Sequence, residues 1–311
     1  MNAVSQQYGA PIFRQSTLRR ADMDRVGIGY ALVDNCSFHE VCSAIIAHAR
    51  AGGEPAYVTT ANAQHIVLLD GDRRLREIYE HADLVVPDGV SLLLAARLYG
   101  HSLRERVAGV DMFQALCALA DEHKLRVFLL GGRPNSADLS AIALKRRLSS
   151  LQISTYCPPF GFEKTAAGLE KTARAIRAAK PDLLFVGLGA PKQESWIYEC
   201  GLQLSVPICV GVGGAFEMVA GVVRRAPRWV QRIGCEWLYR LCLEPRRMWR
   251  RYLIGNLEFA AIVMRQLIRR AFLAAFFSLL DKERFAAELH EPSLQYKRKL
   301  FASVLDFRPG R

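Results

Sequence analysis

Short apolar runs that end in glycine or in small polar residues recur along the first two thirds of this chain of 311 residues. Runs of this length, bounded by turn-forming residues, are typical of buried β-strands. Segments with helical spacing separate the runs, and strands that alternate with helices favour a parallel sheet. The sequence therefore predicts a Rossmann-like α/β fold, with helices on both faces of a parallel sheet. The predicted strands are residues 26–33, 56–59, 84–86, 127–130, 152–156, 183–186 and 207–210.

The residues that follow five of these runs indicate where a ligand binds. In parallel sheets of this kind, ligands bind outside the carboxyl ends of the strands. Glycine lets the backbone approach a ligand closely, and glycine-rich turns that lead into helices offer N–H groups to phosphate. We therefore expect the strand ends to form one crevice. Its candidate substrate-binding residues are Thr60, Asn62, Gln193, Gly131, Gly132, Gly187, Gly189, Gly211, Gly213 and Gly214.

Asp88 is the candidate catalytic residue of this crevice. It follows the apolar run 84–86 within Pro87-Asp88-Gly89, where a helix is predicted to begin near Val90. A carboxylate at this edge of a sheet can take a proton from a bound hydroxyl group. The alternative is that Asp88 only caps the following helix, as aspartate often does.

Positive charge is concentrated near the C-terminus. The chain has a net charge of +12, and residues 224–270 contain 12 arginines, no lysine and three acidic residues, which accounts for +9 of it. A local excess of positive charge indicates a local anionic partner, such as phosphate, nucleic acid or a membrane surface. Apolar residues recur at helical spacing between these arginines. A basic amphipathic helix of this kind fits either a membrane surface or packing on the core.

Three segments are predicted along the chain: an N-terminal arm (1–25), an α/β domain (26–243) and a basic, amphipathic helical C-terminal appendage (244–311). The arm has no apolar core typical of a signal peptide, and no stretch is long and apolar enough for a membrane span. The eight cysteines show no C-x-x-C pairing and several lie in apolar runs, so we expect reduced thiols in the cytoplasm.

Several classes of site are disfavoured by the motifs. No P-loop, H-E-x-x-H or metal-spaced Cys/His set is present, so we predict no metal site and no cofactor. Asp70-Gly71-Asp72 resembles a metal-binding D-x-D, but it lies between two helical stretches and is interpreted as a helix junction. Residues 211–216 begin like a dinucleotide fingerprint but carry Phe216 where a small residue is required, which argues against a dehydrogenase.

Six sequence blocks occur together and in a fixed order. They are residues 60–62 (TAN), 87–89 (PDG), 187–194 (GLGAPKQE), 211–216 (GVGGAF), 225–227 (RAP) and 236–240 (EWLYR). On these blocks, residues 26–252 resemble the WecG/TagA/CpsF family of bacterial glycosyltransferases. The resemblance implies inverting transfer of a sugar from a UDP-sugar to an undecaprenyl-diphosphate-linked saccharide, in exopolysaccharide, teichoic acid or common-antigen synthesis. It also implies a peripheral location on the inner face of the cytoplasmic membrane.

The resemblance also assigns roles to residues. It implies that Asp88 is the catalytic base, and that Thr60, Asn62 and Gln193 are polar residues of the active site. Arginines of the C-terminal region, Arg240, Arg247 and Arg250, are implied to meet the lipid diphosphate. One departure is Glu217, where family members usually have aspartate, so its carboxylate lies one methylene further out.

The residues leave a second class of function open, namely a nucleic-acid-associated α/β protein that uses the arginine-rich segment. Against it, the arginines alternate with bulky aliphatic residues and lysine is absent. We therefore expect a UDP-sugar, a polyprenyl-diphosphate-linked saccharide and a membrane surface as partners, and no nucleic acid. Apolar surface on the C-terminal helices would also suit self-association into a homo-oligomer.

Overall fold

The computed structural model describes Leu18 and residues 23–287, with side chains up to residue 276. Within these residues a parallel sheet of six strands carries the fold, and a separate antiparallel hairpin precedes it. The strands are β1 (Arg25–Ile28), β2 (Ala31–Asp34), β3 (Ala56–Ala61), β4 (Leu84–Pro87), β5 (Arg126–Gly131), β6 (Gln152–Tyr156), β7 (Leu183–Gly187) and β8 (Ile208–Gly211). In the larger sheet the order is β4-β3-β8-β7-β5-β6.

Helices connect these strands, as the alternating pattern predicts. They are α1 (Phe38–Arg50), α2 (Ala63–Gly71), α3 (Arg73–Glu80), α4 (Val90–Leu98), α5 (Gly109–Glu122), α6 (Ser136–Lys145), α7 (Ala166–Ala179), α8 (Lys192–Glu199), α9 (Ala215–Val219), α10 (Arg228–Arg232), α11 (Glu236–Leu243), α12 (Pro245–Trp249) and α13 (Gly255–Ala287). A π-helical segment, Arg250–Ile254, joins α12 to α13. The predicted α/β fold with a parallel sheet is confirmed.

The prediction of one strand over residues 26–33 is wrong. Gly29 has φ +58°, and the chain reverses there, so that β1 and β2 pair as a hairpin with Val26 opposite Val33. A glycine adopts this left-handed conformation without the steric cost that other residues have. The first strand of the parallel sheet is therefore β3.

Aromatic packing beneath the sheet explains why residues 211–216 depart from a dinucleotide fingerprint. The Phe216 ring packs edge-on against Phe113, with ring centroids 5.4 Å apart, and Phe113 packs on Phe185 at 4.8 Å. Gly187 makes room for this ring, because a Cβ there would lie 2.7 Å from Phe216 Cε2. The turn after β8 is thus anchored in the core by its own phenylalanine.

The C-terminal region is helical as far as the structure describes it, as predicted, but it is divided more finely. The single helix predicted before Leu243 is two helices, since Gly234 has φ +76° between α10 and α11. Pro245 ends the helical run before it and begins α12 as its first residue, where its missing N–H is not needed. By contacts the chain divides into two compact units, Met1–Met264 and Arg265–Arg311.

Other predictions meet the described residues only in part. The N-terminal arm up to residue 22, apart from Leu18, and residues 288–311 lie outside them, and the predicted segment limits stay predictions. Among the helices that the structure describes, none combines the length and apolar character needed to cross a membrane. All eight cysteines lie within the described residues and are free thiols, as expected.

Candidate active site

Five of the predicted strand ends lie side by side at one edge of the sheet. The strands β4, β3, β8, β7 and β5 are consecutive neighbours and run parallel, so their carboxyl ends meet there. The register pairs Thr60 with Val86 and Thr59 with Gly211, and it pairs Gly131 with Gly187. The polar and glycine-rich ends of these strands therefore form one continuous rim, as expected.

Asp88 follows β4 on this rim, and it does not cap the helix that comes next. The N-cap of α4 is Gly89, with no side-chain cap, whereas Asp88 Oδ1 accepts a hydrogen bond of 3.2 Å from the Gly109 N–H at the start of α5. The Asp88 side chain keeps 26% of its surface exposed. The carboxylate is therefore held by one backbone donor and remains reachable from the crevice.

The surroundings of Asp88 alter its acidity in opposing directions. Burial raises the pKa of the Asp88 carboxyl above its ordinary value of 3.8 and is the largest influence. The positive charge of Arg106 and the N–H of Gly109 act to lower that pKa, while Glu236 raises it. A carboxylate whose pKa is raised in this way binds a proton more readily than an exposed one, as a general base must.

Arg106 links Asp88 to the C-terminal helices. Its Nε donates to the backbone oxygen of Asp88 at 2.7 Å, and its Nη2 lies 3.9 Å from Asp88 Oδ1. The same Nη2 donates to Glu236 Oε2 at 2.8 Å, and Glu236 Oε1 lies 3.7 Å from Arg225 Nε. Arg225 in turn forms a two-pronged ion pair with Asp111 on α5. The 225–227 and 236–240 blocks therefore pack around the base of the crevice.

Thr60, Asn62 and Gln193 all lie on the rim, and each already has a partner within the chain. Thr60 Oγ1 donates to the Gly211 backbone oxygen at 3.3 Å. Asn62 caps α2 by accepting from the N–H groups of Gln64 and His65. Gln193 is only 1% exposed, and its Oε1 accepts the Gly213 N–H at 2.9 Å. These bonds fix the three side chains at the strand ends.

Five of the seven candidate glycines fall into two sets. Gly187 and Gly211 leave room for packing, since a Cβ on Gly211 would lie 2.9 Å from Gln193 Nε2. Gly189 (φ +77°) and Gly213 (φ +53°) require the left-handed conformation and face open space, and Gly214 is exposed. The second set, at the ends of β7 and β8, leaves its backbone accessible to a ligand. Gly131 and Gly132 also have positive φ, at +90° and +84°.

Glu217, the residue that departs from the usual aspartate, joins two of these turns. It is 7% exposed, and its Oε1 accepts the Arg133 N–H at 2.9 Å, which ties the turn after β8 to the turn after β5. Arg133 Nη2 in turn pairs with Glu244 Oε1 at 3.0 Å. The longer side chain therefore has a structural partner across the rim.

The arginines near the crevice differ in whether a carboxylate neutralises them. Arg247 pairs with Glu244 at 3.2 Å, and Arg250 is exposed, with its guanidinium 5.2 Å from the centre of the Trp249 ring. Arg240 lies beside the β8 turn, since its Nη2 is 4.0 Å from where a Gly214 Cβ would be. Its Nε is buried and has no hydrogen-bond partner among the described residues.

Arg251 is a candidate that the spacing of the sequence does not reveal. It lies in the π-helical segment, and its Nε is also buried and unpartnered among the described residues. Burial lowers the pKa of Arg251 most, the like charge of Arg240 lowers it further, and Asp88 opposes this change. π-helical turns occur frequently at functional sites because they change which side chains face inward. Arg106 was missed as well, since it lies in a connection with no motif.

A metal site is not indicated within the part of the chain that the structure describes. No group of three or more His, Cys, Asp or Glu side chains there is arranged to hold an ion. Asp72, of the D-x-D sequence, accepts the Leu75 N–H and caps α3, whereas Asp70 lies within α2. The interpretation of this sequence as a helix junction is confirmed.

Comparisons with known proteins agree with this geometry. Residues 26–272 match the profile of the glycosyl transferase WecG/TagA/CpsF family. An N-acetylglucosaminyldiphosphoundecaprenol N-acetyl-beta-D-mannosaminyltransferase of Bacillus subtilis is 31% identical over 198 residues, covering 64% of this chain and 75% of the relative. The enzymes of the same name from Bacillus spizizenii and Staphylococcus aureus are 34% and 28% identical, over 64% and 67% of this chain and 75% and 78% of the relatives.

Proposed function

This chain belongs to the WecG/TagA/CpsF family of glycosyltransferases, and from that premise we propose that it transfers a sugar from a UDP-sugar to a polyprenyl-diphosphate-linked saccharide with inversion. The relatives are named for transfer of N-acetylmannosamine to an acceptor carried on diphosphoundecaprenol. An acceptor of that class would place the protein at the inner membrane face, in the synthesis of a bacterial surface polysaccharide.

The observation that carries this proposal is the setting of Asp88. Its carboxylate is partly exposed on the rim where five strand ends meet, and burial raises its pKa. Inverting transfer requires one base that takes the proton of the acceptor hydroxyl as this oxygen attacks the anomeric carbon. The bond to the leaving UDP breaks on the opposite face of the sugar. Asp88 fits the role of that base.

The leaving diphosphate requires positive charge or N–H donors. We assign Arg251 to it, together with Arg240, which the family resemblance alone had assigned to the lipid diphosphate. Both guanidinium groups have a buried Nε without a hydrogen-bond partner, and neither pairs with a carboxylate among the described residues, whereas Arg106, Arg133 and Arg225 do. A buried charge without a counter-charge is unfavourable unless an anion neutralises it. Guanidinium groups also match diphosphate oxygens geometrically. The open turn at Gly213 and Gly214 lies beside Arg240.

Arg247 and Arg250 suit the second diphosphate, that of the lipid acceptor. Arg250 is exposed on the segment that also exposes Trp249 (42%), Leu253 (50%) and Leu257 (72%). Exposed apolar side chains among arginines are the composition that binds an anionic membrane surface. We infer that this segment holds the lipid head group and keeps the protein peripheral to the membrane. The family assignment disfavours the nucleic-acid alternative.

The test is direct transfer of a radiolabelled sugar. A panel of UDP-sugars is incubated with a short-chain polyprenyl-diphosphate N-acetylglucosamine, and the product is examined for label and for its anomeric configuration. The proposal predicts a labelled lipid-linked disaccharide, inversion at the anomeric carbon, and activity that persists in EDTA. Retention of configuration, or transfer only from donors without UDP, would contradict it.

A further inference from the structure

A series of buried polar groups connects the two sides of the crevice beneath its floor. On one side, Asn62 lies next to the Asp88 turn, since a Cβ on Gly89 would be 3.5 Å from Asn62 Cβ. On the other side is Gly213, at the open turn after β8. His65, Glu194 and Gln193 lie between them, and these side chains are 5%, 0% and 1% exposed. The reaction itself gives no role to His65 or Glu194.

Glu194 is the centre of this series. Its Oε1 accepts a hydrogen bond of 2.7 Å from Gln193 Nε2 and lies 3.6 Å from His65 Nε2. The Glu194 oxygen is the acceptor of this hydrogen bond. Gln193 must therefore turn its NH₂ group toward Glu194, which leaves its oxygen to face the β8 turn.

The amide oxygen of Gln193 holds that turn. Gln193 Oε1 accepts the Gly213 N–H at 2.9 Å. Gly211 makes room for this side chain, because a Cβ there would lie 2.9 Å from Gln193 Nε2. If the amide were reversed, its NH₂ group would oppose the Gly213 N–H, and two donors would face each other. The orientation set by Glu194 is thus required for the bond to Gly213.

His65 connects Glu194 to the Asp88 side. In the neutral ring, Nδ1 accepts the Asn62 N–H at 3.3 Å, so that the ring hydrogen is on Nε2, which faces Glu194. Asn62 Oδ1 accepts the His65 N–H in return, which closes the cap of α2. Glu194 is therefore hydrogen-bonded toward the Gly213 turn through Gln193, and on the Asp88 side it lies next to His65 without a hydrogen bond.

We propose that Glu194 is a positioning residue: it fixes the Gln193 amide and so holds the Gly213 turn in the shape that receives the donor diphosphate. The inference rests on the proposed function for the identity of that ligand. Glu194 acts through Gln193 and does not touch the substrate.

Two substitutions separate hydrogen bonding from charge. Glu194→Gln keeps an acceptor oxygen toward Gln193, so we expect the KM for the UDP-sugar to stay within about threefold of the unsubstituted enzyme. Glu194→Met removes the acceptor at similar volume, and we expect that KM to rise about tenfold or more. Glu199→Met, at the far end of α8, is the matched control and should leave the KM for the UDP-sugar unchanged. Equal losses in Glu194→Gln and Glu194→Met would overturn the proposal, since they would indicate a role for the charge itself.

A double substitution tests whether Glu194 acts through Gln193. In a Gln193→Met background the amide is gone, so Glu194→Met should add less than a twofold change in KM. Additive losses would show a separate structural role for Glu194 and would refute the proposal.

Amide hydrogen exchange tests the positioning without any reaction. In Glu194→Met the Gly213 N–H should exchange about tenfold faster than in the unsubstituted protein, and in Glu194→Gln it should not. Unchanged exchange at Gly213 in Glu194→Met would refute the positioning role. Faster exchange in a protein that binds no UDP would support the role of Glu194 and contradict the proposed donor, so the two failures can be told apart.

Discussion

Carboxylates differ in their surroundings between the two ends of the parallel strands. The side of the sheet where the strands begin is called the amino edge, and the side where they end is called the carboxyl edge. At the amino edge, Asp83 accepts the Tyr57 N–H at 2.7 Å, and Asp182 accepts the Arg126 N–H at 2.7 Å while pairing with the Arg126 guanidinium at 3.1 Å. At the carboxyl edge, Asp88 has one backbone donor at 3.2 Å and a guanidinium nitrogen at 3.9 Å. The amino-edge carboxylates are satisfied by the starts of the strands that they join.

This difference separates stability from function in one sheet. A carboxylate with short hydrogen bonds to backbone donors and to a cation lowers the free energy of the folded state. It has little hydrogen-bonding capacity left for a ligand. Asp88 is held more loosely, and burial disfavours its charged form. Groups that cost stability are characteristic of active sites. The comparison predicts that matched substitutions at the two edges have opposite effects.

The largest expected effect is on turnover. Asp88→Asn removes the base, so kcat should fall by about 10²- to 10⁴-fold, the usual contribution of a general base. Asp182→Asn is the matched control at the amino edge and should leave kcat unchanged. The measurement is transfer of labelled sugar to the lipid-linked acceptor under saturation. Near-normal turnover in Asp88→Asn would remove this residue from the role of base.

A smaller effect should distinguish the arginines of the carboxyl edge by the substrate whose KM each substitution raises. Arg251→Ala and Arg240→Ala should raise the KM for the UDP-sugar about 10- to 100-fold, because each removes a charge-assisted hydrogen bond to the diphosphate. Arg247→Ala and Arg250→Ala should instead raise the KM for the lipid-linked acceptor. The control is Arg126→Ala, at the amino edge. Equal changes in both KM values for all four variants would indicate a structural role.

The smallest effect is on stability, and here the substitution at the amino edge should have the larger effect. Asp182→Asn should lower the free energy of unfolding by about 1 kcal/mol, because it weakens an ion pair and a bond to the backbone. Asp88→Asn should not lower it at neutral pH. A carboxyl whose pKa is raised on folding contributes its full stability at low pH and loses it as the pH rises through that pKa. Urea unfolding of both variants measures the difference.

Much of this edge could be predicted from the sequence because strand ends carry a local signature. Apolar runs that end in Asp88-Gly89 or in Gly131-Gly132 show where each strand ends, and parallel pairing brings such ends together. The hairpin of β1 and β2 could not be seen, because the conformation of Gly29 depends on packing: a Cβ there would lie 2.8 Å from Ile66.

The remaining members of the site are set by tertiary contacts alone. Arg106 lies in a loop with no motif, and its partner Glu236 is 130 residues further along the chain. Arg251 cannot be distinguished from Arg250 by composition, since the π-helical segment leaves Arg250 exposed but buries the Nε of Arg251. Asp88 does not cap the helix that follows it, because its carboxylate accepts the Gly109 N–H, which belongs to a different helix.

The most direct test of Asp88 as the base is the pH dependence of kcat/KM for the lipid-linked acceptor. A base must be deprotonated, so activity should be full at high pH and fall through the pKa of Asp88, at a midpoint above 3.8 because burial raises that pKa. Arg106 lowers the pKa of Asp88, so Arg106→Met should move the acidic limb to higher pH. The account predicts this upward shift. An acidic limb that does not move in Arg106→Met, or one that persists in the residual activity of Asp88→Asn, would contradict it.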